Sequence, residues 1–414
     1  MSALPLVDNA PAAETIVKST HAPPDTPEIA AIYFPGFHRD RHMDQWLGEG
    51  FTEWKLLLDA KPRFPGHRLF RPEWGPFDEA DPVWMERQID LAAAHGIRVF
   101  VFDWYWYDGV KILYRPLEEG FLKARNRAKL KYALMWANHD WRNCFPAPLD
   151  NQQTVWLPSR ATPQDFERLI AHCITTHFNR SNYWRVDGGL YFSVFAAEAF
   201  VKQLGGPKQA KLLTEAARRQ VEAASLGRLH LAAFTGSPTA VNDLHAAGFD
   251  SLTTYNVTAS GKARLPDNPL DEYSDLIARH EAFWKEMDTG ILPYAPVVTV
   301  GWDCTPRWAK DGPWPPSPSL GYPYTPVVVN NTPELFGELC RKARRRVESS
   351  KLRPAMILIN AWNEWTEGSA LLPEREYETR FLEEAQKAFS SEAISKPRSR
   401  VSPRGDRQGR TPGN

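Results

Sequence analysis

Ala355-Met-Ile-Leu-Ile-Asn-Ala-Trp-Asn-Glu-Trp-Thr-Glu-Gly368 is the stretch on which the chain turns. Its first half, Ala355 to Asn360, is a short apolar run entered through Pro354, the pattern of a strand buried on both faces. Its second half becomes polar and aromatic at once. Two acids, Glu364 and Glu367, stand three residues apart among Trp362, Asn363 and Trp365. A buried strand that ends this way places charge at the rim of a core, beside flat apolar surfaces.

The same theme repeats upstream. Apolar runs at Glu28–His38, Gly96–Tyr107, Tyr132–Asn138, Gly189–Phe195, Leu229–Thr235, Phe249–Thr258 and Ala295–Asp303 predict seven further strands. Between and after them, helical patterns fall at Asp81–Gly96, Pro116–Arg127, Pro163–Asn179, Glu198–Ala224, Ala240–Ala247, Asp271–Met287, Thr332–Val347 and Tyr377–Phe389. Alternation of this kind over residues 28–389 points to one (β/α)8 barrel of the TIM type, whose functional face lies where strands end. A doubly wound open sheet is the rival. It would want a glycine-rich phosphate loop after the first strand, where this chain has Pro35-Gly36-Phe37-His38.

Bulk composition excludes several classes. Fifty basic and fifty acidic residues cancel, so no net field draws the chain to nucleic acid or an anionic membrane. No run reaches the length of a transmembrane span. Met1–Thr20 has neither a basic start nor an apolar stretch, so no signal peptide is expected and the cytoplasm is the default compartment. Cys144, Cys173, Cys304 and Cys340 are widely spaced and fit reduced thiols. Residues 1–27 read as a disordered lead-in, and residues 390–414, rich in Arg, Ser and Pro, as a disordered basic tail. The 16 Trp and 13 Tyr exceed what a core of this size needs, and rings in excess suit the C–H faces of sugars.

Glycoside cleavage needs a proton donor to the leaving oxygen and a second carboxylate near the anomeric carbon. Residues three apart in a helical turn bring their Cβ atoms within about 5–6 Å. Two negative charges at that distance repel by about 3 kcal/mol at an effective dielectric near 20, worth about two pKa units. Glu364 and Glu367 can therefore hold unequal proton affinities and act as base and acid. A solvated first helical turn is the bland account of Glu-x-x-Glu alone; the tryptophans around this pair favour a site. Strand alternation turns two of Trp104, Tyr105, Trp106 and Tyr107 toward the mouth. Trp302, Asp303 and Arg307 can clamp hydroxyl groups, and Asp103, His139 and Asp140 are candidate polar wall. No spaced His/Asp set suggests a metal, and no cofactor is expected. The Pro-rich insertion Thr305–Asn331 follows the seventh strand and is expected to form a lid or wall.

Taken together, Ile32–His38, Gly50–Trp54, Asp103–Trp106, Trp136–Asn138, Trp302–Arg307 and Asn360–Gly368 resemble WbsX-type proteins, which carry a domain similar to glycoside hydrolase family 99 and often belong to surface-polysaccharide loci. The resemblance covers roughly residues 28–388. It implies a (β/α)8 barrel and metal-free, retaining action on an α-linked, mannan-like oligo- or polysaccharide through the sugar's own 2-hydroxyl. It implies that Glu364 deprotonates that hydroxyl and that Glu367 is the acid and then the base. As pocket wall it implies Tyr33, Trp54, Tyr105, Trp136, Asn138, Tyr255, Asp303 and Arg307, to which the strand-end reading adds Asp103, Trp302, Trp362 and Asn363. After Asn138 the family motif continues with Glu, where this chain has His139. Because WbsX-type proteins are also labelled glycosyltransferases, hydrolase, transferase and non-catalytic glycan binder all remain open at this point. No Asp-x-Asp occurs to support a nucleotide-sugar site.

Overall fold

The computed structural model of the protein describes residues 27–150, 154–258, 269–317, 319–350 and 353–390. Apart from Pro27 and Ser390, the segments read as a disordered lead-in and tail lie outside the described residues. Eight parallel strands form the core: β1 (Glu28–Tyr33), β2 (Val99–Tyr107), β3 (Lys131–Trp136), β4 (Gly189–Val194), β5 (Leu229–Phe234), β6 (Ser251–Thr253), β7 (Val297–Thr299) and β8 (Met356–Asn360). They run in the order β6-β5-β4-β3-β2-β1-β8-β7. Leu252 of β6 closes the ring by pairing with Tyr294 just ahead of β7; its N–H donates to Pro293 O and its carbonyl accepts from Ala295 N, both at 2.8 Å. The chain is a TIM-type barrel, with no free sheet edge in its core.

Helices α1 (Arg41–Leu47), α2 (Glu53–Asp59), α3 (Pro82–Ala94), α4 (Pro163–Cys173), α5 (Ala197–Gln203), α6 (Pro207–Ala223), α7 (Val241–Ala246), α8 (Tyr273–Glu286), α9 (Pro333–Ser350) and α10 (Arg380–Phe389) are outside it. Start signals explain many boundaries. Asp81 caps α3 by accepting from Val83 N, with Pro82 at its first position. Thr162 caps α4 through Asp165 N, again before a proline.

Three readings change. The helix expected over Glu198–Ala224 is two, because Gly205 and Gly206 sit at φ 92° and 109° and Pro207 begins a new helix. The helix expected over Pro116–Arg127 is instead a π-turn, Pro116–Gly120, followed by 3-10 turns. Gly120 is pressed so close to Glu79 O that a Cβ would lie 2.5 Å away, which fixes the irregular path. Finally, α1 and α2 occupy the connection after β1, where no helix was expected; that connection supplies part of the site.

Alternation along β2 sorts its aromatic run. Trp104 and Trp106 point outward, stacked on each other at 5.4 Å, with His172 stacked on Trp104 and tilted against Trp106. Asp103 and Tyr105 point inward. On β3 the outward residue is Trp136, against Phe166 of α4 and Phe200 of α5.

The turn after β8 is held by a close approach. Gly368 is left-handed at φ 63°, and a Cβ there would lie 2.7 Å from Asp303 Cβ and 2.8 Å from Asp303 N. Gly368→Ala therefore meets both a backbone penalty and backbone that cannot yield. It is expected to destabilise the protein by about 2–4 kcal/mol, seen as a lower urea midpoint with an unchanged slope.

Candidate active site

At the C-terminal ends of the strands lies a cavity of about 560 Å³, a size suited to a small ligand. Its chemistry centres on Arg307, in a 3-10 turn after β7 and only 3% exposed. One terminal nitrogen donates to Glu364 Oε1 at 2.6 Å and to both oxygens of Glu53 at 2.9 and 3.1 Å. The other donates to Glu367 Oε1 at 2.7 Å and reaches the Tyr322 hydroxyl. Three buried carboxylates thus converge on one guanidinium, whose planar fork suits such bridging.

The position of the acid pair follows from the turn after β8. Asn363–Glu364 pairs antiparallel with Ser369–Ala370, and Trp365–Glu367 makes a 3-10 turn between them. A 3-10 turn brings i and i+3 onto one side, so both carboxylates face the cavity. Neighbouring groups lock the turn. Asp303 N donates to Glu367 O at 2.6 Å, and Thr366 Oγ1 donates to Glu53. The Asn363 side chain ties the turn to β1, accepting from Phe34 N at 2.8 Å and donating to Phe34 O at 2.6 Å and to Glu79 at 2.5 Å.

Burial moves the titrating groups. It drives the Glu364 carboxyl well above the usual range, against the pull of Arg307, with Glu367, Glu53 and Asp103 adding repulsion. Glu367 also rises through burial, opposed by Arg307 and by the Tyr322 hydroxyl, which donates to Oε1 at 2.7 Å. Asp103 rises well above its normal value, first from burial and then from Glu367. Glu367 Oε2 and Asp103 Oδ1 are buried without a hydrogen-bond partner. His139 is lowered by burial and stays neutral at physiological pH, its Nδ1 3.0 Å from Asp140 O.

Asp103, Tyr105, Tyr255, Trp302, Arg307, Glu364 and Glu367 all line the cavity. The Tyr255 hydroxyl donates to Glu364 Oε2 at 3.4 Å. The other expected wall residues sit elsewhere. Trp362 donates to Gln88 on α3, Trp136 to Trp106 O behind the barrel, and Trp54 to Phe77 O. Tyr33 packs on Phe100 and Phe102. Asn138 joins the ends of β3 and β4 through both polar atoms of Ala196. Asp303 is held by His67 at 2.9 Å and by Thr305 N. For Trp136, alternation along the strand explains the outward turn; Trp54 lies on α2, and Asn138, Asp303 and Trp362 lie beyond the ends of their strands.

Two participants escaped the sequence reading. Glu53 lay inside the quoted Gly50–Trp54 motif, from which only Trp54 was taken as a wall residue, but α2 turns the acid inward and the indole toward the core. Tyr322 comes from the Pro-rich loop. The residue is 41% exposed while its hydroxyl touches Arg307 and Glu367. Only the loop's return path could have revealed it: Val327–Val329 pairs with Leu270–Glu272, and Trp302 Nε1 donates to Thr325 Oγ1 at 2.9 Å.

Residues 29–385 match the model of the family described as glycosyltransferase WbsX. A curated relative, the uncharacterized protein WxcX of Xanthomonas campestris pv. campestris strain B100, is 25% identical over 402 residues and is matched across 92% of this chain. Its counterpart from a second strain is 26% identical over 376 residues, across 87% of this chain. The chain spans about half the length of these curated relatives, 52% and 49%. Among solved structures, the glycoside hydrolase family 99 endo-alpha-mannosidase of Bacteroides thetaiotaomicron has a TM-score of 0.54 at 16% identity, covering 89% of this chain and 97% of its own. A glycoside hydrolase-like protein has a TM-score of 0.58 at 14% identity, covering 90% and 96%. At these identities the likeness is one of fold. Among the described residues, no helix is long and apolar enough to cross a membrane.

Two measurements test this electrostatic picture. Arg307→Met leaves three buried acids uncompensated and is expected to cost about 3–5 kcal/mol at neutral pH. The loss should shrink as pH falls and the acids protonate, which urea denaturation at several pH values will show. Glu79, buried beneath Asn363, is raised from 4.5 to about 8 by burial. Between these values the folded carboxyl keeps its proton while the unfolded one loses it, so stability falls as pH rises and levels off above about pH 8. Glu79→Gln is expected to remove up to about 1.4 kcal/mol per pH unit of that slope, whatever its absolute stability.

Proposed function

The chain belongs to the WbsX glycosyltransferase family, and from that premise we propose that it is a carbohydrate-active enzyme, a retaining glycoside hydrolase acting on an α-linked, mannan-like oligo- or polysaccharide. One observation carries the reading: Glu364 and Glu367 share one guanidinium at the barrel mouth, both pushed toward protonation. Three carboxylates facing a single cation in low dielectric favour retention of a proton on the pair near neutrality. A pair that holds one proton can give it to a leaving oxygen while its ionised member takes another.

The roles are those the family resemblance implies, although burial raises Glu364 further than Glu367, whose Oε1 has both Arg307 and Tyr322 as donors. Glu364 serves as base toward the sugar's 2-hydroxyl, its Oε2 beside the Tyr255 hydroxyl. Glu367 serves as acid and then base through Oε2, the buried oxygen without a partner. Arg307 holds both carboxylates and moderates their repulsion. Asp103, protonated by burial, can donate to a sugar oxygen from the β2 wall. Tyr105, Trp302 and Phe145 add apolar faces against which a pyranose ring can lie.

The family's description favours a second reading, transfer from a nucleotide-sugar. The charge balance speaks against it. A diphosphate would enter a cavity where the Glu364–Glu367 pair, even with one proton, and Glu53 already engage the charge of Arg307. Phosphate recognition ordinarily calls for free cations or helix N-termini aimed at the anion.

Glu364→Gln and Glu367→Gln are each expected to lower turnover of a cleaved α-linked glycan by about 10²–10⁴-fold while the circular dichroism spectrum stays that of the parent. Near-parental turnover by either variant removes that residue from the mechanism. NMR of the first-formed anomer, in a panel of α-linked oligosaccharides and nucleotide-sugars, separates the readings: retained anomer with water as acceptor is expected, and nucleotide release would establish transfer instead.

A further inference from the structure

A second cluster lies behind β2, on the face opposite the cavity. Glu118, His172 and His177 bring a carboxylate oxygen and two imidazole nitrogens within 4.8 Å of one another. Two of these residues come from π-turns. Glu118 is in Pro116–Gly120, and His177 is in Ile174–Phe178, which continues α4 beyond His172. In an α-helix, residues five apart project about 140° away from each other. A π-turn brings i and i+5 to one side, and such turns occur disproportionately at functional sites. Here it turns His177 back toward His172, their rings 5.9 Å apart.

The imidazoles are prepared as ligands. His177 is fully buried, and its Nε2 has no hydrogen-bond partner; neither has Nε2 of His172. On the other side of the His177 ring, Nδ1 lies 3.3 Å from the Tyr132 hydroxyl, which in turn donates to His177 O at 3.5 Å. With the hydroxyl donating to the carbonyl, Nδ1 would carry the proton and Nε2 the lone pair, the arrangement by which an outer partner sets a metal-binding histidine. A neutral imidazole with a buried lone pair and no donor is a polar group left unmatched inside a core.

We propose that Glu118, His172 and His177 form a site for a divalent transition metal of the zinc–cobalt type. Two imidazoles and one carboxylate suit such an ion and leave a position for water. Bonds of about 2.0–2.1 Å require the ligand atoms to draw together by about an ångström, within reach of side-chain rotation. Glu118 is partly exposed, its side chain at 21%, which gives the ion a path from solvent. Lys111 stands in the way: its ammonium contacts both Glu118 oxygens at 2.6 and 2.8 Å. Metal and Lys111 compete for the same carboxylate, so the bound ion displaces the lysine. His172 packs against Trp104 and Trp106, whose strand neighbours Asp103 and Tyr105 face the cavity. A metal here ties the turn after β2 to the end of α4 and stiffens the strand from behind, without touching substrate.

The full chain, stripped with EDTA, is titrated with Co²⁺ followed by visible absorption and with Zn²⁺ followed by calorimetry. One equivalent of either ion is expected to bind and to raise Tm. Glu118→Gln and His172→Gln, both at partly exposed positions, are each expected to weaken binding by about 100-fold or more, since losing even an outer partner of a ligand costs about 10–100-fold. Lys111→Met, which removes the competing cation, is expected to tighten it by about tenfold. Absence of saturable binding at millimolar metal overturns the proposal, as does binding that either ligand substitution leaves within about twofold of the parent. An unchanged affinity in Lys111→Met would remove Glu118 from the ligand set. The buried His177 is left intact throughout, so folding of the variants does not decide the result.

Discussion

A guanidinium buried among three carboxylates is the arrangement to which the rest of the barrel mouth answers. Removing such charges from water costs several kcal/mol per ion, recovered only where geometry is close and every donor is used. Arg307 meets that condition with Glu53, Glu364, Glu367 and Tyr322 around it. The four partners arrive on three segments: α2, the turn after β8, which carries both Glu364 and Glu367, and the Pro-rich loop. The ion cluster therefore requires these segments to close in one register. That explains the density of ties nearby, from Asp303 N on Glu367 O to Asn363 on β1. With more acid than base inside, the cluster also keeps a proton, which is the property that acid–base chemistry uses.

Much of the architecture was legible because strand periodicity and strand-end composition are local properties. Short apolar runs that close on Asp103, Asn138, Asp303 and Glu364 mark a single rim, and the barrel order follows from alternation with helices. The two glycines at 205 and 206 could have been read as a break, since Gly-Gly-Pro cannot continue a helix; helical composition on both sides hid them. The π-turns were not legible at all. They arise from contacts between segments, as at Gly120 against Glu79 O, and leave no mark in periodicity.

The site was legible by half, for a geometric reason. Motif spelling tells which residues sit at a rim but not which side of the strand each takes. Trp136 and Trp362 are as prominent in sequence as Tyr105 and Trp302, yet the first two turn toward the outer helices. The excess of tryptophan thus serves two ends, and much of it packs the layer between barrel and helices. Glu53 and Tyr322 were hidden for a different reason. Their distance in sequence from Arg307 is bridged only by loop conformation, and one of those loops is the proline-dense insertion.

That insertion links access to chemistry. Tyr322 is a partly exposed residue of this loop that lines the cavity and gives its hydroxyl to Glu367, so the loop reaches both the cavity wall and the acid. A donor to an ionised carboxylate lowers its proton affinity; taking the donor away raises it. With the loop seated, Glu367 Oε1 is engaged by Arg307 and Tyr322 and its proton is held more loosely. With the loop withdrawn, Glu367 keeps burial and its acidic neighbours but loses one donor, and the proton is held more firmly. A catalytic acid gives up its proton most readily when that affinity is modest. If Glu367 is the proton donor of the proposed reaction, seating this loop over a glycan and loosening that proton would be one movement rather than two.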